Sequence, residues 1–234
     1  MYFYPAEQLK KEFAVTASFY RFQVGDKKFL CRNHAIIKRK EVTKQEEPNA
    51  VIVMANPGSC SPNIPLDKIP VIKQHPVNLL YVDVNPDPTQ YQLMRLMKVR
   101  KWDVVSIINL SDVCAGKMTH FKEILIEFEQ HYINEHSIFS DNRIEELEEV
   151  LKKSKSRIIP AWGQNLGIRN LANKAIQNLK EEHQIVGLPS RENKWRYRHP
   201  NPRLQEKCVK WLEDMEQLLK EEETVKRGVE KSEK

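Results

Sequence analysis

Asn56, Asn109, Gly163 and His199 each close a segment rich in apolar or aromatic residues. An asparagine amide offers a donor beside an acceptor, which suits the edge of a flat heterocycle, but it is a poor acid or base. Only His199 among these residues belongs to a type that exchanges protons near neutrality. As a neutral donor it can stabilise negative charge growing on a substrate oxygen. A second pattern runs into it. In Lys194-Trp-Arg-Tyr-Arg-His199 the residues alternate strictly. At strand period, Lys194, Arg196 and Arg198 share one face, and Trp195, Tyr197 and His199 the other. A cationic face backed by aromatics, leading into His199-Pro-Asn-Pro-Arg203, suits phosphate contacts beside a stacked or extruded base. The histidines lack metal-ligand spacing, and Asp83, Asp87, Asp103 and Asp112 form no cluster in the sequence. Neither a metal nor a cofactor is expected.

Strands are expected to carry these residues. Val51-Ile-Val-Met54 reads as a strand buried on both faces, as a central parallel strand is. It stops at Asn56-Pro57-Gly58, where Pro57 cannot donate a ladder bond and Gly58 permits backbone angles that other residues avoid. Trp102 to Leu110 is a second buried strand, ending at Asn109, and Arg157 to Gly163 a third. His183 to Leu188 is expected to be a fourth. Parallel strands present their carboxyl ends on one side, where ligands of open α/β sheets bind, so the polar ends can converge on one pocket. Asn109 serves equally well as a turn-closing residue, and Trp162 as a packing wall.

Helical runs alternate with these strands. Asp87-Pro88 starts one, with Asp87 as the cap and Pro88 at the first helical position. Others span Lys117 to Glu135, Asp141 to Lys153, Ile168 to Glu182 and the stretch from Pro202. Ala14 to Phe22 and Lys27 to Ile37 form a hairpin about Gly25-Asp26. Ser59 to Asp67 is expected to be a surface loop, placed as a lid would be. The pattern predicts a three-layer α/β/α sandwich with a mainly parallel central sheet and an added N-terminal β-hairpin. Residues 1–48 would be a lead and hairpin packed on the main domain, 49–212 the α/β domain, and 213–234 a charged tail.

The chain has 234 residues, enough for one substantial core, and a net charge of +6, which permits polyanion binding without demanding it. Cys31, Cys60, Cys114 and Cys208 are scattered, so reduced thiols are expected rather than a zinc module. With neither a secretory pattern nor an apolar run of membrane-spanning length, a soluble cytoplasmic protein is expected.

Taken in order, the motifs resemble those of the uracil-DNA glycosylase superfamily. Val51 to Gly58 resembles its first motif, in the Asn-Pro-Gly form of the mismatch-specific branch. Val105 to Leu110 is similar to the strand ending in a base-pairing Asn, Ile158 to Gly163 to the strand ending in Trp-Gly, and His199 to Arg203 to the His-Pro-x-Pro loop. The whole chain resembles still more the bacterial and phage family called domain of unknown function 1643. The resemblance implies a DNA glycosylase that hydrolyses the N-glycosidic bond of an extruded base, in repair or antiphage defence. Asn56 would position the water, His199 would donate to the departing base, and Asn109, Gly58 and Trp162 would hold it. Lys194, Arg196, Arg198 and Arg203 would touch DNA. Asn56 occupies the place of the acid found in the most active branch. A non-catalytic nucleic-acid or nucleotide sensor on the same fold is the alternative.

Overall fold

The computed structural model of the chain describes residues 1–43, 47–74, 79–152, 157–179, 183–190 and 193–232, with side chains as far as Val225. It begins with α1 (Ala6–Glu12), then a long hairpin of β1 (Phe13–Val24) and β2 (Lys27–Arg39), turned at Gly25 with φ 57°. β3 (Ala50–Met54), β4 (Ser61–Pro62), β5 (Val71–Ile72) and β6 (Tyr81–Asn85) follow. α2 (Pro88–Arg100) then leads to β7 (Val104–Asn109), and α3 (Met118–Gln130) and α4 (Ile144–Lys152) lead to β8 (Arg157–Pro160). The chain closes with α5 (Arg169–Asn178), β9 (Pro189–Ser190), β10 (Asn193–Tyr197) and α6 (Gln205–Ser232).

The main sheet is mixed, in the order β4-β6-β1-β2-β7-β3-β8, with β5 beside β1. Its parallel pairings are β7-β3-β8 and the short β1-β5 contact, and the only trace of the expected fourth strand among the described residues is a bridge from Ile158 to Ile185. The expectation of a mainly parallel sheet is thus corrected. β2 joins β7 antiparallel through Ala35 to Lys38, so the hairpin forms the middle of the sheet and is not an addition to its front. Burial explains this placement. β1 carries Ala17 and Phe19 into one core and Tyr20 and Phe22 into the other, and a strand apolar on both faces needs cover on both.

Helices supply that cover. Leu93, Met94 and Met97 of α2 pack on one face of the sheet with Leu9 of α1 and Trp211, Met215 and Leu219 of α6. The other face receives Phe121 and Phe128 of α3, Leu147 and Leu151 of α4, and Ala172 and Ala175 of α5. β3 lies between the two layers with every residue buried, which accounts for its unbroken apolar run. Both termini carry helix. The lead holds α1, and Arg95 stacks 3.7 Å over the Phe3 ring. The expected tail continues α6, where Arg100 pairs with Glu216 and Glu223, and Arg157 also meets Glu223. No helix among the described residues is long and apolar enough to cross a membrane.

The predicted start of α2 is present in full. Asp87 accepts from the Gln90 backbone N–H at 2.9 Å, and the Gln90 side chain accepts from the Asp87 N–H at 3.1 Å. This reciprocal cap fixes the entry of α2. It also places a carboxylate beside the end of β3. The Ser59–Asp67 stretch, expected to be a loop, is pinned by β4, which pairs antiparallel with β6.

Candidate active site

α2, which the chain reaches from β3 through β4 to β6, packs on one face of the sheet and α5, which follows β8, packs on the other, with a crevice beyond the carboxyl ends of β3 and β8. A cavity of about 450 Å³ lies there. Asn56 to Ser59 line it from the end of β3, Asp87 to Gln90 from the start of α2, Trp162 to Asn165 from the end of β8, and His199 and Asn201 from the segment after β10. Asn56, Gly58, Trp162 and His199 of the expected site are therefore brought together. Asn109 is not among the lining residues.

Asn56 is half-buried, and its Nδ2 donates to the Ala115 carbonyl at 2.6 Å. A carbonyl can only accept, so this bond fixes the amide's orientation. Oδ1 is then the acceptor left to meet a water or a ligand hydroxyl. Gly58 has φ 68°, and a Cβ there would lie 2.7 Å from Asp87 Oδ2. Glycine is required on both counts, and the close approach sets Asp87 against the Asn-Pro-Gly turn. Asp87 is 8% exposed and is the one carboxylate in the lining.

His199 is partly buried, and its Nδ1 accepts from the Asn201 backbone N–H at 3.1 Å. That bond needs a lone pair on Nδ1 and leaves the ring's N–H on Nε2. Burial holds the His199 pKa below its ordinary value, although the charge of Asp87 pulls the other way. The ring is thus kept as a neutral donor. Gly163, at φ 90°, lies against it: a Cβ there would be 3.7 Å from the His199 Cβ. Trp162 is only 2% exposed; its indole donates to the Trp195 carbonyl at 2.7 Å, and its ring meets Tyr197 edge-on. It forms a fixed wall of the cavity.

Asn109 is fully buried one layer behind the cavity, paired in register with Met54. The ladder continues past it, with the Leu110 and Ser111 N–H groups donating to the Met54 and Ala55 carbonyls. Its Oδ1 accepts from Arg32 at 3.4 Å, while its Nδ2 has no partner among the described residues. Arg32 lines the cavity in its place. A bulge puts it there: the β1–β2 register jumps from Ser18–His34 to Phe19–Arg32, leaving Asn33 as the extra residue. Without Asn33, Arg32 would share the face of His34; with it, Arg32 joins Ala35 and Ile37 on the α2 side.

Arg32 and Asp87 are the two charged lining residues that sequence reasoning did not assign to the site. The bulge has no signature in a run that reads as plain alternation. Asp87 is legible as a cap, but its nearness to Gly58 is tertiary.

The expected cationic stripe is divided. Lys194 is exposed, Arg196 stacks over the Trp195 ring at 5.1 Å, and Arg198 pairs with Asp214 of α6, which Lys210 also meets at 2.8 Å. Arg203 is exposed on the loop after His199 and is followed by Leu204, which is 51% exposed. Leu166, on the loop after Trp162, is 66% exposed.

Behind the corner of Asn109 runs a buried polar network. Asp112 Oδ2 accepts from Tyr20 at 2.7 Å and from Arg143 at 2.6 Å, and Arg143 holds Glu146 at 2.8 Å. Burial pushes the Asp112 carboxyl up to about 6 against the pull of Arg143. His136 shares a 2.9 Å contact with Ser111, and burial pushes its pKa down to about 4. This network anchors the β7 end from the side away from the cavity. No group of His, Cys, Asp and Glu residues suited to a metal is present among the described residues. Comparison with protein-family models, with curated proteins and with solved structures gave no match to the chain.

Proposed function

We propose that this chain hydrolyses the N-glycosidic bond of a base extruded from DNA, and that the parallel part of its sheet belongs to the uracil-DNA glycosylase-like fold. The observation that carries the reading is the meeting of Asn56, Asp87 and His199 in one cavity at the carboxyl ends of β3 and β8, with Asn56 and His199 in fixed donor and acceptor senses. The order of the motifs along the chain supports it further.

In the reaction, Asn56 Oδ1 accepts a hydrogen bond from water and aims its oxygen at the sugar carbon. The C–N bond breaks, and its electron pair leaves with the base as an anion. His199 Nε2–H donates to a base oxygen and stabilises that charge. The water gives up a proton as it bonds, and Asp87, the carboxylate of the lining, receives it. An acid supplied by the start of α2 thereby takes a role that the Asn at position 56 cannot perform. Trp162 walls the base. Arg203, with the exposed Leu166 and Leu204 on the rim loops, meets the DNA from which the base is drawn, Leu204 as an apolar wedge. Lys194 provides phosphate contact; Arg198, held by Asp214, is a lesser contributor.

The test is mass spectrometry of free bases released from a panel of DNAs, including modified phage DNA. Wild type is expected to release a base and leave an abasic site. Asn56→Ala and His199→Ala are each expected to slow release by about 100-fold or more, with the fold kept. Absence of any released base across the panel refutes the reading. Salt-sensitive DNA binding without release would establish a nucleic-acid sensor instead.

A further inference from the structure

Arg32 is 2% exposed and yet lines the cavity. Buried cations are normally paired, because losing hydration is costly unless an anion replaces it. Arg32 forms no ion pair among the described residues. Its guanidinium donates to the Pro57 carbonyl at 3.5 Å and to Asn109 Oδ1 at 3.4 Å, both at the long limit of hydrogen bonding, and also meets the uncharged Cys60 thiol, while its Nε has no partner among the described residues. Its nearest acidic neighbours do not neutralise it. The Cys60 and Cys114 thiols are both pushed up by burial, so they stay uncharged, and Asp87 makes no ion pair with it. A second orphan lies on the same corner, since Asn109 Nδ2 is also buried and unpaired. Both orphans are donors. The bulge at Asn33 brings Arg32 to the cavity wall, and the Asn109 amide lies behind it.

We propose that Arg32, with Asn109 behind it, is the anion receptor of this cavity, and that the anion it receives is the deprotonated lactam of a departing nucleobase. The inference rests on the glycosidic reading above and adds a charged group to the neutral His199 donor. A planar guanidinium matches an oxygen and an adjacent ring nitrogen sharing one charge, as it matches a carboxylate. His199 meets the base from the side of the His-Pro loop, while Arg32 lies at the β2 and β7 side. Such a site favours bases whose leaving anion is spread over a lactam, and gives little help to a base without a ring carbonyl.

Two measurements on the full chain test this. The first is thermal unfolding of Arg32→Gln and Arg32→Met without ligand. A cation held for function rather than for the fold gives variants melting within about 3 °C of wild type or above it. A fall of about 10 °C or more in both would show that Arg32 is a structural partner, and would overturn the proposal.

The second measurement is equilibrium binding of two probe pairs: 5-nitrouracil, ionised near neutral pH, against neutral uracil, and urate monoanion against neutral hypoxanthine. In at least one pair the anion is expected to bind wild type about ten-fold tighter than its neutral counterpart. In Arg32→Gln that preference is expected to fall to about two-fold or less. An equal affinity in both pairs, a preference that survives Arg32→Gln, or no binding of either anion would overturn it. Free bases need no bond cleavage, so the two readings fail separately. Anion preference without base release from DNA removes the glycosylase reading alone. Base release indifferent to Arg32 removes the receptor alone.

Discussion

The contact between Gly58 and Asp87 predicts a coupling that can be measured without knowing the substrate. Gly58 has φ 68°, a conformation that costs an L-residue about 1 kcal/mol. Its absent Cβ would lie 2.7 Å from Asp87 Oδ2, so Gly58→Ala must also displace that carboxylate. Asp87 is the cap of α2, and losing such a cap costs about 1 kcal/mol. Gly58→Ala is therefore expected to lose about 2 kcal/mol, and Asp87→Ala alone about 1 kcal/mol. In the double variant the obstacle is gone and the cap is already lost, leaving a total of about 2 rather than about 3 kcal/mol. The coupling is about 1 kcal/mol, in the sense that the second substitution is milder than the first. Urea unfolding of the four proteins, read by circular dichroism, gives each term. In melting temperature, Gly58→Ala alone is expected to cost about 4–8 °C. Strict additivity, or a Gly58→Ala as stable as wild type, would refute the claim that the Asn-Pro-Gly turn and the α2 cap share one crowded space. The same cycle bears on the site, because Asp87 is the proposed proton acceptor.

Two more predictions concern the network behind the site. Arg143→Met removes the ion-pair partner of the fully buried Asp112 and is expected to destabilise by about 3–5 kcal/mol, with partial recovery in Arg143→Met/Asp112→Asn; urea midpoints without that recovery would count against an uncompensated charge as the cause. His136 has a folded-state pKa of about 4, below its ordinary 6.5, so the unfolded chain binds the proton more tightly. Stability from keeping it neutral is present above about 6.5 and is lost as pH falls towards about 4. Asp112, raised from 3.8 to about 6, acts in the opposite sense over its own range. His136→Gln is therefore expected to gain about 2 kcal/mol relative to wild type between pH 7.5 and pH 5, and parallel pH profiles of the two proteins would refute this.

The sequence by itself determined the local elements and part of the site. The unbroken apolar run of Val51–Met54 demanded a strand buried on both faces, because nothing in it can face water. Asp87-Pro88 demanded a helix start through backbone geometry and hydrogen bonding within four residues. Asn56 and Trp162 were legible as neighbours because parallel strands deliver their carboxyl ends to one side, whereas His199 follows β10, which pairs antiparallel with β9 outside the main sheet.

Tertiary structure decided the rest. The hairpin of β1 and β2 reads as a local unit, and only the packing of both its faces makes it the centre of the sheet. Asn109 reads as a cavity residue, but it is fully buried and does not line the cavity. The single extra residue at Asn33 reverses the face of Arg32, and a shift of one in a period of two leaves no mark in composition. Asp87 reaches the site because Gly58 has no side chain, a relation between residues 29 positions apart that only the folded chain brings together.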